Sequence, residues 1–281
     1  MRRRGSESFV RSILVAQTSL LTPLTLTSRS WARQPRTAAS PQEMRRAAAR
    51  MTRPPSGVLS RAMKRIPQPL GDRGSLRWIQ HFVNNDPGTL NSAIGLGKIA
   101  WVSPLKEDAY SEYRDDGALE KLEVKLTRRP LSSFWPARGP QWDALGIGPS
   151  REPVLVEAKA HIGEILSPAS KASPKSLKLI HKSLRETAKG LGVVPGGVDW
   201  SRTFYQYTNR LAHAYFLREL NGIPAHLVFL YFVGDDFKDG PKTAEEWRAA
   251  TAVLHEAIGL RGCMPSYVEE IFLEVPIGLS R

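Results

Sequence analysis

The chain has 281 residues, with 40 Lys and Arg against 27 Asp and Glu and a formal net charge of +13, which is room for one core-forming domain with an appendage. Its single cysteine, Cys263, excludes an internal disulfide, a cysteine-built zinc site and an iron–sulfur cluster, so a metal has to be held by oxygen or histidine. An apolar content of 41 % is too high for a disordered chain, and no apolar run is long enough to span a bilayer.

The charge is concentrated at one end. Residues 1–66 hold 13 Arg and one Lys against only Glu7 and Glu43, or +12 of the total, so the basic character does not describe the rest of the chain. Up to Ser40 this segment is rich in Arg and Ser and poor in acids, and it resembles an organellar transit peptide. A disordered tail, or translation from Met44, Met51 or Met63, would also account for it. A secretory signal fits less well, because Gln17, Thr18, Ser19 and Pro23 break the apolar stretch. The expectation is a basic extension over residues 1–70 and a folded domain over 71–281, cytoplasmic unless the extension directs organellar import.

Along the domain, SLRWIQHFVNNDPGTLNSAI predicts one helix stopping near Asp86-Pro87 and a second beginning there. Ser103-Pro104 reads as an N-cap and first helical position, opening a helix whose inward face carries Leu105, Ala109, Glu112 and Asp116 until Gly117 interrupts it. Leu131–Pro136 and Gln141–Leu145 predict two strands around Arg138-Gly139-Pro140. PVLVEAKAH then gives a strand with Leu155, Glu157, Lys159 and His161 on one face and Val154, Val156, Ala158 and Ala160 on the other.

The next helix sets Leu177, Ile180, Leu184 and Leu191 beside a basic stripe of Lys175, Lys178, Lys182, Arg185 and Lys189. In TFYQYTNRLAHAYFLREL, Phe204, Tyr207, Leu211 and Tyr215 face opposite to Gln206, Asn209, Arg210 and His213. AHLVFLYFVG is apolar on both faces and reads as a central strand, Thr243 and Glu246 form a capping box for EWRAATAVLHEAIG, and VEEIFLEVP is a last strand. The elements add up to an α/β domain with a mixed sheet between helices.

Asp143 precedes Glu157 by a turn, so two antiparallel strands can bring both carboxylates to one edge of the sheet. Such a pair suits a hard cation, and Asp143, Glu157 and the backbone carbonyl of Ala158 suffice for Mg²⁺ or Mn²⁺, with waters completing the shell. Lys159, on the same face as Glu157, can hold or deprotonate a bound water and offset charge on a phosphate.

PQWDALG followed by VLVEAKA, with Glu112 upstream, resembles the PD-(D/E)XK nuclease superfamily, which has the restriction-endonuclease-like fold. The resemblance spans roughly residues 104–234 and implies an α-β-β-β-α-β core. It implies that Asp143 and Glu157 are the acids, Lys159 the lysine and Glu112 an additional metal or water contact. Gln206 matches a glutamine that several recombination-type members carry on the helix after the lysine strand. The literal Pro-Asp pair is missing, since Trp142 precedes Asp143, and Arg210 stands where that motif has tyrosine.

The expected activity is therefore Mg²⁺-dependent hydrolysis of phosphodiester bonds, in DNA rather than RNA, with no membrane partner and with homodimerisation as one way to cut both strands. Gln206 and Arg210 can meet the scissile backbone or the lysine strand, His161 is a secondary candidate for contacting substrate, and Lys175, Lys178 and Lys182 are candidates for tracking phosphates. The competing expectation is an inactive nucleic-acid-binding or scaffolding domain that retains the fold.

Overall fold

The computed structural model describes residues 65–193 and 198–276; the expected transit peptide and alternative starts lie outside them. The described residues belong to one compact unit. In chain order they form β1 (Arg65–Ile66), α1 (Gly74–Asn85), α2 (Pro87–Ile94), β2 (Ala100–Ser103), β3 (Glu112–Tyr113), α3 (Asp115–Lys121), β4 (Ala144–Ile147) and β5 (Pro153–Lys159). These are followed by α4 (Pro174–Gly190), α5 (Tyr205–Tyr215), β6 (His226–Val233), α6 (Ala244–Ile258) and β7 (Val268–Glu274).

Among the described residues the main sheet has five strands in the order β2-β4-β5-β6-β7, antiparallel as far as β5 and parallel beyond it. The change of direction follows from the connections: a short turn joins β4 to β5, whereas α4 and α5 lie between β5 and β6. The protein is thus an α/β domain with a mixed sheet flanked by helices on both faces.

Strand periodicity decides which side chains meet which layer. Val154, Val156, Ala158 and Ala160 pack with Val228, Leu230 and Phe232 against Trp78, Ile79 and Phe82 of α1. On the other face, Leu155, Leu227, Phe229 and Tyr231 meet Ile180 and Leu184 of α4, Tyr207 and Leu211 of α5 and Trp247 of α6. β5 is therefore a central strand buried on both sides, and Glu157 and Lys159 are not a solvated pair at a sheet edge. The first two helices, the last helix and the strands β5, β6 and β7 stand where the sequence places them.

Two expectations fail. No helix follows Ser103-Pro104: a single 3-10 turn (Lys106–Asp108) leads into β3, and Ala109 and Tyr110 adopt φ of 50° and 48°, which a right-handed helix cannot accommodate. Asp108 holds this loop together by taking Arg65, Lys121 and Tyr113 as partners, and the Ser103 hydroxyl donates to the Ser111 carbonyl at 2.9 Å. Residues 131–136 likewise form a 3-10 turn (Leu131–Ser133) instead of a strand. Phe134 and Trp135 both go inward beside His213 rather than alternating across a pleat, and the Phe134 carbonyl takes the Ser183 hydroxyl. The fold also begins before residue 71: Arg65–Ile66 pairs with β3, and the Pro69 carbonyl accepts from Gln80.

Candidate active site

Three carboxylates meet on the α5 side of the sheet, each delivered by a different stretch. Asp143 lies one step before the Ala144–Val156 pair of the β4–β5 ladder, which sets it across from Glu157. Its Oδ2 accepts the Ala158 N–H at 2.7 Å, tying the two strands together just where β4 begins. A strand residue sends its N–H and carbonyl to the same neighbour, so the Ala158 carbonyl lies on the Asp143 side. Glu112 comes from β3, not from a helix face, and is only 5 % exposed. Its Oε2 accepts from Gln68 at 3.1 Å and from the Gln141 side chain.

Glu157, 2 % exposed, is paired on both oxygens. Lys159 Nζ lies 2.5 Å from Oε1, and Arg210 Nε donates to Oε2 at 2.6 Å. Arg210 is itself buried at 5 % and uses its other nitrogens on the Gln141 carbonyl and the Asn209 side chain, each at 2.7 Å, with its guanidinium over the Trp142 ring. It cannot also reach a substrate phosphate: of the two expectations for Arg210, contact with the scissile backbone and contact with the lysine strand, the structure shows the second. Gln206, exposed at the start of α5, accepts from Lys159 Nζ at 3.2 Å, while its N–H donates to Ser167 Oγ.

The electrostatics follow from this packing. Burial, with the charges of Glu157 and Glu112 added, raises the Asp143 carboxyl well above its ordinary range. Burial is also the main cause that pushes Glu112 up to about 7, helped by Glu157 and resisted by Gln141 and Arg210. Burial alone would raise Glu157 too, but Arg210 and Lys159 outweigh it and hold this carboxyl below its usual range. Lys159 is raised despite burial because Glu157 and Asp143 face it. An amine so held stays protonated near neutrality, so Lys159 is suited to positioning a water or a phosphate oxygen, not to taking a proton from one.

The expected ligands can be tested against this donor set. Among the described residues no group of three or more His, Cys, Asp and Glu is close enough to hold a metal by itself. Two acids, a carbonyl and several waters are nevertheless the kind of set that Mg²⁺ accepts. Burial chiefly, with the neighbouring acids added, disfavours the charged forms of Asp143 and Glu112, and a divalent cation at the site would favour them. Asp143, Glu157 and the Ala158 carbonyl therefore fit a hard cation in kind, provided that Glu157 releases one of its two cationic partners.

Comparison with protein-family models, curated proteins and solved structures returns no match. The site rests on its own geometry. Of the remaining candidates, His161 turns to Glu164, 3.7 Å away, and to the Phe237 ring, and bonds none of the three carboxylates. Lys175, Lys178 and Lys182 lie exposed along α4, outside the cluster. Gln68 and Gln141 are the site residues that sequence reasoning missed: one falls in the expected extension, and an uncharged amide carries no pattern that marks it as a carboxylate clamp.

Proposed function

We propose that the protein is a metal-dependent nuclease of restriction-endonuclease-like architecture that hydrolyses phosphodiester bonds in DNA. The observation that carries this reading is the meeting of Asp143, Glu157 and Lys159 on one face at the β4–β5 junction, with Glu112 closing the cluster from β3. Within the main sheet, helices α1 and α2, the antiparallel strands β2, β4 and β5, helices α4 and α5 and the parallel strand β6 follow one another, with β3 and α3 inserted between β2 and β4, an order that supports this reading.

Asp143, Glu157 and the Ala158 carbonyl would hold Mg²⁺ or Mn²⁺. Such an ion supplies Lewis acidity, making a bound water more acidic and offsetting charge on the phosphate. The Lys159 ammonium orients a water or phosphate oxygen and stabilises charge that grows as the bond from phosphorus to the leaving sugar oxygen breaks. Glu112, balanced near neutrality, can exchange a proton with a water in the cluster. Gln206 steadies the Lys159 amine from the solvent side.

The test is incubation of the full chain with supercoiled plasmid, single-stranded DNA and RNA, in Mg²⁺ and in EDTA. DNA cleavage in Mg²⁺ alone is expected, and Lys159→Ala should lower its rate by roughly 10²- to 10³-fold with the circular-dichroism spectrum unchanged. Absence of metal-stimulated cleavage on every substrate would remove the proposal and leave a binding or scaffolding domain.

A further inference from the structure

α4 carries a surface that the cluster does not use. Lys175, Lys178, Lys182, Arg185 and Lys189 are all exposed, and at 100° per residue they fall within about 80° of the helix circumference along about 21 Å of its length. None of the five has an ion-pair or hydrogen-bond partner among the described residues. The single acid of the helix, Glu186, is taken by Arg129 at 2.5 Å. The opposite face is fully engaged, with Ile180, Leu184 and Ala188 in the core. The stripe is thus a fixed row of uncompensated positive charge on a rigidly seated helix.

Its complement has to be a polyanion from outside this chain. Residues 1–64 contain only Glu7 and Glu43 among 13 basic residues, and residues 194–197 and 277–281 contain no acid at all, so no segment outside the described residues has the charge to cover it. A membrane-binding helix would carry apolar side chains beside its cations, but among the described residues the exposed large apolar ones are Leu70, Ile162, Leu166 and Val253, none of them on α4.

A short stretch of chain joins the cluster to the stripe. From Lys159 the chain passes through Ser167, which bonds the Gln206 N–H, and Ser170, whose N–H bonds the Ser201 carbonyl. It enters α4 at the Lys175 end.

We infer that α4 is the track on which the backbone of a DNA duplex lies as it leads to the cluster, its five cations facing successive phosphates. A helix length of about 21 Å corresponds to about six base-pair steps along the duplex axis at 3.4 Å each. The inference rests on the nuclease reading for its choice of a phosphodiester polymer as the anion.

The test is fluorescence anisotropy of the full chain with a short labelled duplex in EDTA, across a salt series. It compares wild type with K178Q/K182Q/R185Q/K189Q and with a control, K98Q/K106Q/K125Q/R128Q, which removes as many exposed charges elsewhere. Each phosphate contact steepens the salt slope by about 0.9, so the α4 variant should be shallower by roughly 3 to 4 and bind at least about tenfold more weakly near 0.1 M salt. The basic N-terminal segment contributes equally to every protein in the comparison. An unchanged slope, or a control variant that flattens as much, overturns the inference. So does loss of binding to polyglutamate or phosphatidylserine vesicles while duplex binding is kept.

The two readings fail separately. Wild type that binds with the α4-dependent slope but does not cut in Mg²⁺ sinks the nuclease and leaves the track. Wild type that cuts, with the α4 variant cutting at the same KM, sinks the track and leaves the nuclease.

Discussion

Arg210 illustrates how a single side chain can hold a cluster of like charges together. Its guanidinium joins α5 to Glu157 on β5 and to the Gln141 carbonyl, and the Gln141 side chain in turn bonds Glu112. Arg210→Met keeps most of the volume but leaves Glu157 with Lys159 alone, close to two other acids. Removing one partner of a buried pair costs about 3–5 kcal/mol; with Lys159 still in place, about 2 kcal/mol is expected. Arg210→Lys, which keeps charge but not the planar fork, should fall between the two. Urea denaturation of the three proteins gives the order.

Two buried groups set opposite pH dependences. His213, enclosed by Phe134, Trp135 and Trp142, is lowered to about 3, chiefly by burial. Its unfolded form therefore binds a proton below its ordinary pKa of 6.5 that the folded form refuses, and stability falls as pH drops from about 6.5 toward 3. Glu112, raised to about 7, behaves in reverse: the folded form keeps a proton that the unfolded form releases above its ordinary 4.5, so stability falls as pH rises from 4.5 to 7. The two slopes oppose each other between 4.5 and 6.5. Glu112→Gln removes one of them, so the stability of this variant relative to wild type should grow between pH 4.5 and 7 by up to about 1.4 kcal/mol per pH unit. Denaturation curves of both proteins at pH 4.5 and 7 measure it, and a constant difference would show that Glu112 is ionised in the fold.

Among the elements, those whose pattern repeats over many residues were legible before the structure. β5 alternates as PVLVEAK, β6 is apolar on both faces, and α6 starts at a Thr243 whose hydroxyl accepts the Glu246 N–H at 3.3 Å. Thr243→Ala should cost about 1 kcal/mol, read as a shift in the urea midpoint, with the cluster untouched. The segment from Leu105 to Trp142 was misread where nonlocal bonds overrule local pattern. Asp108 gathers partners from residues 65, 113 and 121, and its loop replaces the expected helix. Glu112 still reached the cluster, because a residue forced inward by a helical stripe and one forced inward by a short strand are equally buried. For Arg210 the helix pattern leaves open whether it meets the scissile backbone or the lysine strand. Its burial depends on Glu157 waiting beneath it, a fact about packing between elements that no single helix displays.

At the scale of the whole molecule, the three acids come from β3, from the start of β4 and from β5, so a ligand that binds them together also ties these stretches to one another. Without that ligand, burial and to a lesser degree the neighbouring acids keep the Asp143 and Glu112 carboxyls raised. Two consequences separate cleanly in one variant. Asp143→Asn replaces a carboxyl whose charged form burial disfavours with a neutral amide whose oxygen can still accept the Ala158 N–H, so in EDTA the variant should melt at or above the wild-type temperature. Saturating Mn²⁺ or Mg²⁺ should raise the wild-type Tm, because an ion bound only by the folded form contributes about 2.7 kcal/mol at a hundredfold excess over Kd. For a domain of this size that is a rise of about 5 to 10 °C. The variant, lacking a ligand, should show almost none of it. Calorimetry or dye-monitored melting of both proteins, with and without the ion, checks the crossing, and equal ion-induced shifts in the two would remove Asp143 from the cation site.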